Sequence, residues 1–468
     1  MQQYASCEAV THIWNHKLSR LLFIRLEAWV VLALALVGLL GTIAFGAAVL
    51  DEERGKGHFG TMGHAARAIA EIPWTLRDIL KAEDRMLVMQ QTHAGAPPMW
   101  SFPPGATGTG LTGYWMLSRF DASTRQSIVE MVRLSDTSVM HVWRPDPDAI
   151  LKNASRTTRV ANIENWTKGI FRYFAPVLTD DGGLILKDSA SPLFKVDACA
   201  RPVWMQDATM FHHSTESDGA GGFWIPTHIE PSQIPLVAPD FVDDGLGHVT
   251  ADGKILANIS VAEMLMRHGL QHLVFRPFDA ARDTLHLNDI EPVLSDGPFW
   301  KAGDLFLSLR HVSMILLYRP STDQIVWMKQ GPWMAQHDVD ILDDHRIAVF
   351  DNRAYYRGEA GWVDGASDVA VYDFATDAVT HPLQTAMSRE NLQVLFEGVH
   401  APLPGGAHVV EDQASGIVLL LAADGNKLGQ FVNLQDDGKV YQIGWGRFVN
   451  QAEGDLVLGK LNGDSCDE

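Results

Sequence analysis

Cysteine is scarce in this chain of 468 residues, which has only Cys7, Cys199 and Cys466. None of them belongs to a Cys-x-x-Cys pair or to a cysteine and histidine spacing that would hold zinc, so a metal site built on thiolates is excluded. Basic residues are also few, with 37 Lys and Arg against 57 Asp and Glu and a formal net charge of -20. Because such a chain does not attract a phosphate backbone, we expect no nucleic-acid partner.

The sequence also lacks the loop pattern of an EF-hand, although Asp-rich turns are frequent in it. Backbone geometry is enough to explain those turns, and no metal or other cofactor is expected. Hydrophobic residues make up 46% of the chain and charged residues 20%, which is typical of a folded protein. A chain of this length exceeds one ordinary compact core, unless that core is modular as in a barrel or propeller.

One long stretch carries no charge, from Ala28 to Leu50. At a rise of ~1.5 Å per residue, a helix of this length spans a hydrocarbon core of ~30 Å. Lys17, Arg20 and Arg25 precede the stretch, so the positive-inside rule places the N-terminus in the cytoplasm. We expect a single-pass membrane protein whose main domain is exported, periplasmic or extracellular. The alternative is a cleaved signal peptide, because small residues are frequent at Ala44–Ala48.

Four parts are predicted along the chain: a short cytoplasmic N-terminus at 1–27, a transmembrane helix at 28–50, a juxtamembrane segment at 51–150 and a β-rich domain at 151–468. Within the juxtamembrane segment, apolar residues at three- and four-residue spacing predict a helix inside Gly63–Val88. The stretch Ala96–Gly113 is rich in Pro and Gly and predicts a loop. This segment is also the candidate binding region for a protein partner.

From about residue 155 the sequence consists of short β-type runs separated by turns such as Asp252-Gly253 and Asp424-Gly425. Such turns join two strands of a hairpin, because glycine adopts positive φ readily. At roughly 40 to 50 residues per four-stranded blade, this part of the chain predicts an all-β fold, a β-propeller of six or seven blades. Tandem β-sandwiches are the alternative. One short helix is expected, at Ser260–Gly269.

The predicted topology separates the cysteines. Cys199 and Cys466 would share an oxidising compartment, in which a disulfide persists, whereas Cys7 would be cytoplasmic. A propeller whose last strand completes the first blade also brings the C-terminus near the early strands. We therefore expect a bridge between Cys199 and Cys466, and the alternative is two unrelated thiols.

The most informative stretch lies between residues 285 and 353. Its motifs in chain order are His286-Leu287-Asn288, Ser308-Leu309-Arg310, Ile325-Val326-Trp327, Gln336-His337-Asp338 and Phe350-Asp351-Asn352 followed by Arg353. In order and spacing these motifs resemble the PAPS-independent arylsulfotransferases, a family of six-bladed β-propellers. The resemblance is specific over this stretch and loose over residues 155 to 465, and it does not cover the first 150 residues.

This resemblance implies transfer of a sulfuryl group from a phenolic sulfate ester to an acceptor phenol, through a sulfohistidine and without a cofactor. Such chemistry needs a nucleophile that holds the group transiently, an acid for the leaving phenolate, and donors around the sulfuryl oxygens. A neutral imidazole can be the nucleophile, other histidines exchange protons near neutral pH, and a guanidinium matches the oxyanion. The expected partners are therefore small aryl sulfates and phenols.

Four residues are carried over as catalytic. By motif, His286 matches the family's HxN histidine and His337 its QH histidine. Arg353, directly after the FDN motif, matches the arginine that contacts the sulfuryl oxygens. The family's sulfated histidine lies in a later blade, where His408 is the best match and His400 its competitor.

Five further residues are predicted to line the substrate site: His212, His213, Asn288, Arg310 and Asn352. Because adjacent strand residues point to opposite faces, we expect only one of His212 and His213 to point inward. Arg310 also fits a structural pairing with a carboxylate. Asn288 and Asn352 fit hydrogen bonding at strand ends as well as orientation of a neighbouring histidine.

Two other functions suit parts of the sequence. The anchor and the N-terminal segment suit a non-catalytic propeller tethered to the membrane as a binding or assembly subunit, because a propeller fold does not fix chemistry. A quinoprotein-type dehydrogenase shares the turn pattern but would carry tryptophan-docking repeats, which the sequence lacks. Convergence of His286, His337, Arg353 and His408 within ~10 Å would favour the enzyme over the binding subunit.

Overall fold

The computed structural model describes residues 27–53, 56–80, 85–88, 97, 99–156, 166–235, 237, 241–275, 282–357 and 360–461. The chain divides into two compact units, residues 1–81 and 82–468. Each unit is described by itself.

The first unit contains two helices, α1 (Ala28–Glu53) and α2 (Thr61–Leu80). Helix α1 is long and apolar enough to cross a membrane, and its large side chains are exposed, with Leu32 70% accessible. The apolar helix predicted at residues 28–50 is therefore present, and by length and composition it fits a membrane span or a signal sequence. Helix α2 is the helix predicted inside Gly63–Val88, but it begins earlier and ends at Leu80.

The second unit is built mainly from short strands. In chain order the described strands are β1 (Met99–Ser101), β2 (Tyr114–Asp121), β3 (Gln126–Arg133), β4 (Val139–Trp143), β5 (Val177–Leu178), β6 (Leu184–Leu186), β7 (Ser191–Val196), β8 (Pro202–Phe211), β9 (Glu216–Ser217), β10 (Gly222–His228), β11 (Asp244–Thr250), β12 (Ile255–Ser260), β13 (Leu287–Pro292), β14 (Leu305–Leu309), β15 (Met314–Arg319), β16 (Gln324–Gln330), β17 (His337–Ile341), β18 (Arg346–Asp351), β19 (Ala354–Arg357), β20 (Ala360–Val363), β21 (Asp368–Asp373), β22 (Ala378–Thr380), β23 (Val399–Pro402), β24 (His408–Asp412), β25 (Ile417–Leu421), β26 (Lys427–Val432) and β27 (Arg447–Val449). The described α-helices of this unit are α3 (Pro147–Ile150), α4 (Val261–Arg267), α5 (Gln271–Val274), α6 (Gln384–Arg389) and α7 (Gln451–Leu461).

The strands pair into small antiparallel sheets. The sheet orders are β27-β2-β3-β4, β12-β11-β10-β8-β7-β6-β5 with β9 on β10, β13-β14-β15-β16, β17-β18-β21-β22, β1-β26-β25-β24-β23 and the hairpin β19-β20. Consecutive strands lie side by side, as in propeller blades, so the predicted all-β propeller class is confirmed. In the eight-stranded sheet, β8 and β10 share only two residue pairs. Division at that point gives six groups of four strands, apart from β1 and the hairpin.

The last strand completes the first four-stranded sheet, because β27 pairs with β2 from Tyr114↔Val449 to Met116↔Arg447. Strands β2 to β4, at residues 114–143, therefore belong to the β-rich unit. The structure thus sets the unit boundary at residues 81/82, whereas the sequence placed the start of the β-rich domain at 151. The sequence argument missed these strands because the motif resemblance begins only near residue 155.

The hydrophobic core is divided into clusters that lie between neighbouring sheets. Strands such as β14 and β25 are buried at all five positions. Both faces of these strands pack against apolar neighbours, so their sequences are nearly continuous apolar runs and do not alternate with polar residues.

The predicted turns and the short helix are present. Gly253 and Gly425 adopt φ of 82° and 77°, the left-handed conformation that a hairpin turn requires. Helix α4 occupies the predicted stretch, and the Ser260 hydroxyl accepts a hydrogen bond from the backbone N–H of Glu263 at 3.0 Å. This is the usual serine cap of a helix N-terminus.

Cys199 lies in a tight turn after β7 and is disulfide-bonded. The Asp197 carboxylate accepts hydrogen bonds from the backbone N–H groups of Cys199 and Arg201, each at 2.9 Å. The predicted bridge partner Cys466 lies outside the described residues.

Candidate functional site

Three histidines meet at the start of the first strands of neighbouring sheets. His213 lies between β8 and β9, His286 directly precedes β13, and His337 is the first residue of β17. The ring centroid of His213 is 5.0 Å from that of His286 and 6.2 Å from that of His337. We call these three residues the histidine cluster. Strand β13 contacts both β9 and β17, so the fold itself brings the three segments together.

Positive φ values occur near the start of these first strands. His213, His286, Asp338 and Glu397 have φ of 52°, 56°, 50° and 63°, all in the left-handed region. This conformation is uncommon outside glycine and persists only where the surrounding structure enforces it. Three of these residues lie within three positions before a strand, and Asp338 is the second residue of β17.

Asn352 fixes the tautomer of His337. The Asn352 side-chain nitrogen donates to the carbonyl oxygens of Val394 at 3.0 Å and Glu397 at 2.7 Å. Its amide oxygen therefore faces His337 Nδ1, at 2.8 Å. Because an amide oxygen only accepts, His337 carries its proton on Nδ1 and has its lone pair on Nε2. Burial, followed by the charge of nearby Arg310, lowers the pKa of His337 well below its ordinary value, so this imidazole is neutral.

His286 has a carboxylate where His337 has an amide. Its Nδ1 lies 2.5 Å from Asp283 Oδ2, and its ring stacks on His311 with centroids 4.5 Å apart. Burial raises the pKa of Asp283, but the charge of His286 and its hydrogen bond outweigh burial and lower that pKa to about 2. The carboxylate beside Nδ1 accepts a hydrogen bond from the ring and leaves Nε2 as its other polar atom. His286 is therefore suited to give and take a proton through Nε2.

Arg310 and Trp445 flank the cluster. The buried Arg310 guanidinium donates from Nη2 to the Tyr356 hydroxyl at 2.7 Å and lies 5.1 Å from the centre of that ring. Within the described ranges no protein group hydrogen-bonds Arg310 Nε or Nη1, so those donors can serve an anion. The Trp445 ring centroid is 5.6 Å from that of His213 and 6.2 Å from that of His337, which gives the cluster an aromatic wall.

His212 is buried and His213 is half-buried, and of the two only His213 belongs to the histidine cluster. Their Nδ1 atoms are 2.7 Å apart. Strand β8 ends at Phe211, and His213 has positive φ, so the alternation of side chains does not extend to this pair. Burial, together with other histidines nearby, lowers the pKa of both well below the ordinary value.

His408 and His400, the two candidates for the sulfated histidine, form a separate pair. His400 Nδ1 lies 2.9 Å from Asp340 Oδ2, and His400 Nε2 lies 3.0 Å from His408 Nδ1. Asp340 is three residues beyond His337 on β17, about 10 Å along the strand at ~3.3 Å per residue. No hydrogen bond or ring contact among the described residues joins this pair to the histidine cluster.

Arg353 and Asn288 also make contacts away from the cluster. Arg353 pairs with Asp364, with Nη2 and Oδ2 3.4 Å apart, and no described hydrogen bond or ion pair joins it to the three histidines. Asn288 donates from its side chain to the backbone oxygen of Gln336 at 2.8 Å. This bond links the first strands of two neighbouring sheets directly before His337. Asn288 therefore stabilises the backbone that positions His337.

Carboxylates follow the histidines along the first strands, with Asp289 and Glu291 on β13 and Asp338 on β17. Burial, then Glu216, raises the pKa of Asp289 to about 7, and burial with neighbouring carboxylates raises the pKa of Glu291 and Asp338 well above the ordinary values. The nearby cation Arg447 is held by both oxygens of Glu216, at 3.1 and 2.9 Å. Arg447 is therefore already engaged by a carboxylate, whereas Arg310 beside the histidine cluster has donors available to an anionic substrate.

Three site residues were missed by sequence reasoning. Asp283 precedes His286 by three positions, a spacing that could have signalled a carboxylate partner. Trp445 stands between two glycines that allow close packing: a Cβ on Gly446 would lie 2.3 Å from Trp115. Lys187 donates to the backbone oxygen of His213, and burial lowers its pKa to about 7. Nothing in the local sequence marks Lys187, because its contact is made with a distant segment.

A family model described as Arylsulfotransferase (ASST) matches residues 177–433, more than half of the chain. No curated protein sequence matches the chain. Solved structures with similar folds include a protein of unknown function from Bacteroides caccae, with 10% identity over 71% of this chain and 98% of that chain and a TM-score of 0.43. They also include BamB from Moraxella catarrhalis, with 11% identity over 72% and 84% and a TM-score of 0.31. Virginiamycin B lyase from Staphylococcus aureus has 10% identity over 55% and 69% and a TM-score of 0.32.

Proposed function

The chain belongs to the arylsulfotransferase family, and we propose that it moves a sulfuryl group from a phenolic sulfate ester to an acceptor phenol through a sulfohistidine, without PAPS. The observation that carries this proposal is the convergence of His213, His286 and His337, with rings 5.0 and 6.2 Å from His213. A nucleophile and an acid must both reach one sulfur atom, and two of these histidines have the hydrogen bonds that such roles require.

His337 is the proposed nucleophile. Its Nε2 has the free lone pair, and its neutral form is favoured by burial and by Arg310. In the first step Nε2 bonds to sulfur while the bond between sulfur and the phenolic oxygen breaks. Protonated His286 gives its Nε2 proton to the leaving phenolate and becomes neutral. In the second step the acceptor phenol gives its proton to His286, its oxygen bonds to sulfur, and the bond between sulfur and His337 breaks.

Arg310 is the proposed partner of the sulfuryl oxygens. Its guanidinium is buried and fixed at one end by Tyr356, which leaves donors for an anion. Preorganised donors at a site of developing charge are a large source of rate enhancement. Trp445 offers an aromatic surface for the phenyl rings of donor and acceptor.

The roles that sequence resemblance gave to His408 and Arg353 remain the competing assignment. His408 is bonded to His400 in a region of carboxylates, and Arg353 is paired with Asp364. A sulfate ester is an anion, and this surrounding charge favours its binding at Arg310 instead.

We also infer that α1 anchors the protein, with the N-terminus in the cytoplasm and the β-rich unit exported. The cations Lys17, Arg20 and Arg25 on one side of the apolar stretch support this orientation. The disulfide at Cys199 suits an oxidising compartment. Protease digestion of spheroplasts, whose outer barrier has been opened while the inner membrane is intact, tests this orientation: it should remove the β-rich unit, and full protection of that unit would contradict export.

The transferase proposal is tested by incubation of the purified protein with 4-nitrophenyl sulfate, with and without a second phenol. We expect nitrophenol release that depends on the acceptor, and a sulfated enzyme that accumulates when no acceptor is present. Peptide analysis of that intermediate should find the sulfuryl group on His337. Absence of acceptor-dependent release with several phenols would contradict the transferase and favour a non-catalytic propeller.

A further inference from the structure

Two histidines and a carboxylate meet next to the histidine cluster without hydrogen bonds among them. His228 ends β10 and Asp244 begins β11, and the two residues are direct cross-strand partners. His212 follows β8, and its backbone N–H donates to the Pro226 oxygen at 3.0 Å. This contact places its ring on that of His228, with centroids 4.2 Å apart and planes inclined by 25°.

The distances among these three side chains are close to those between protein atoms that coordinate one metal ion. His212 Nε2 lies 3.6 Å and His228 Nε2 lies 3.9 Å from Asp244 Oδ1. Both distances exceed the range of ~2.7 to 3.2 Å for a hydrogen bond between nitrogen and oxygen. Two ligands that are each ~2.0 to 2.1 Å from a tetrahedral zinc ion are roughly 3.3 Å apart, so a small closure of the three side chains would suffice.

Two of these side chains are buried with little to satisfy them among the described residues. His212 is 2% exposed, and its Nε2 is buried without a hydrogen bond. Asp244 is also 2% exposed, and its carboxylate accepts hydrogen bonds only from the backbone, from the N–H groups of Leu287, 2.9 Å from Oδ2, and of His286. No described Lys or Arg forms an ion pair with Asp244. A buried carboxylate without a cation and a buried nitrogen without a partner are both costly, and a bound cation would satisfy both.

We propose that His212 Nε2, His228 Nε2 and Asp244 Oδ1 bind a divalent transition-metal ion of the zinc class. Two imidazoles and one carboxylate suit Zn²⁺ and its first-row neighbours better than Ca²⁺ or Mg²⁺, which prefer oxygen ligands. Three protein ligands leave a fourth position for water or another small ligand. No local sequence pattern indicates this site, because its ligands come from three separate segments of the chain and include no cysteine.

The proposed ion would act on the histidine cluster through one hydrogen bond. When the ion takes the Nε2 lone pair, the proton of His212 lies on Nδ1, which is 2.7 Å from His213 Nδ1. His213 Nδ1 then accepts, so the proton of His213 lies on Nε2. The ion would thus set the tautomer of His213. An effect of this tautomer on sulfuryl transfer would rest on the proposed function. The metal site itself does not depend on that function.

Two other groups of possible ligands serve as controls. In the first, Asp283, His286 and His311, the Asp283 Oδ2 atom is already engaged by His286 at 2.5 Å. The second consists of the consecutive residues Asp343, Asp344 and His345 in a turn, where Arg346 binds the Asp343 carboxylate at 2.7 Å. In each of these groups a carboxylate already has a histidine or arginine side chain within hydrogen-bond distance, whereas no described side chain forms a hydrogen bond with Asp244.

The test is metal binding by the untagged full-length protein in detergent, stripped with a chelator and dialysed against Zn²⁺ alone. We expect about one Zn²⁺ per chain. His228→Gln and Asp244→Asn should each lower the affinity by more than the ~10- to 100-fold typical of losing an outer partner of a metal ligand. The matched variants His345→Gln and His311→Gln should bind Zn²⁺ as the unaltered protein does.

A second measurement does not depend on the variants folding. Co²⁺ added to the stripped unaltered protein should give the intense visible absorption of a four-coordinate site, and Zn²⁺ should abolish it. Failure of the unaltered protein to bind either ion would overturn the proposal. Unchanged binding in a folded His228→Gln/Asp244→Asn double variant would do the same, as would loss of binding in His311→Gln alone. No aryl sulfate is present, so the result is independent of transferase activity.

Discussion

His337 Nδ1 lies 2.8 Å from Asn352 Oδ1, and this contact decides which nitrogen of His337 is free. The Asn352 amide cannot reverse without removing donors from the carbonyls of Val394 and Glu397. His286 is instead held by the carboxylate of Asp283. Two histidines of one cluster thereby have different partners at Nδ1, an amide and a carboxylate, and such differences in environment divide acid and nucleophile roles in active sites.

The first prediction concerns His337. His337→Asn should lower kcat for acceptor-dependent nitrophenol release by more than about 10⁴-fold, because the nucleophilic nitrogen is lost. The measurement is the steady-state rate with saturating 4-nitrophenyl sulfate and phenol, together with circular dichroism to show that the variant is folded.

The matched variant for this test is His408→Asn, at the histidine that the sequence resemblance favoured. It should keep kcat within about tenfold, because His408 belongs to the separate pair with His400. Loss of turnover in His408→Asn with retention in His337→Asn would reverse the assignment of the nucleophile.

The second prediction concerns the acid. His286→Gln should lower kcat/KM by about 10² to 10⁴-fold for donors whose phenol is a poor leaving group, because the phenolate then departs without a proton. The loss should be much smaller with 4-nitrophenyl sulfate, whose leaving group is stable as an anion. A series of substituted phenyl sulfates measures this difference, and equal losses along the series would contradict an acid role for His286.

The third prediction concerns Arg310. Arg310→Met should lower kcat by about 10² to 10³-fold if the guanidinium holds the sulfuryl oxygens. It should also move the acidic limb of the pH profile of kcat/KM to higher pH. Burial and then Arg310 lower the pKa of His337, so removal of the cation raises that pKa and His337 becomes protonated, and inactive, at higher pH.

Arg353→Met is the control for this effect, since Arg353 is paired with Asp364. It should leave the acidic limb where it is in the unaltered protein. A larger loss of kcat in Arg353→Met than in Arg310→Met would restore the role that motif matching gave to Arg353.

The sequence predicted the fold better than the site. Asp-Gly turns and short apolar runs are local signals, so the hairpins, the propeller class and helix α4 could all be derived from them. Motif matching also identified His286 and His337, which the structure places in one cluster. Partners such as Lys187 and Trp445 could not be predicted, because they reach the cluster from other segments of the chain, 26 residues away for Lys187 and more than 200 for Trp445.

Three limits of the sequence argument have physical causes. The domain start at 151 was too late, because β2 to β4 join β27 across more than 300 residues, a pairing that no local pattern reveals. Strand alternation does not apply to His212 and His213, because the strand had already ended. The proximity of His212, His228 and Asp244 could not be predicted from the sequence, because it depends on the register in which the strands pair.

The last prediction is the disulfide between Cys199 and Cys466. The described chain ends with Leu461 of α7, which packs in one cluster with Ala198, the neighbour of Cys199. A Cβ on Gly182 would lie 2.6 Å from Leu461 and 3.4 Å from Ala198, so these segments are in close contact. Five further residues, at up to ~3.3 to 3.6 Å each, are enough to reach Cys199.

Peptide mapping without reductant should therefore recover Cys199 joined to Cys466. Cys199→Ser should lower the free energy of unfolding by about 2 to 4 kcal/mol, because the bridge restricts the unfolded chain. Reductant should then have no further effect on the Tm of that variant, whereas it should lower the Tm of Cys7→Ser as much as that of the unaltered protein. Recovery of Cys466 as a free thiol would contradict the pairing, and would require another partner for Cys199.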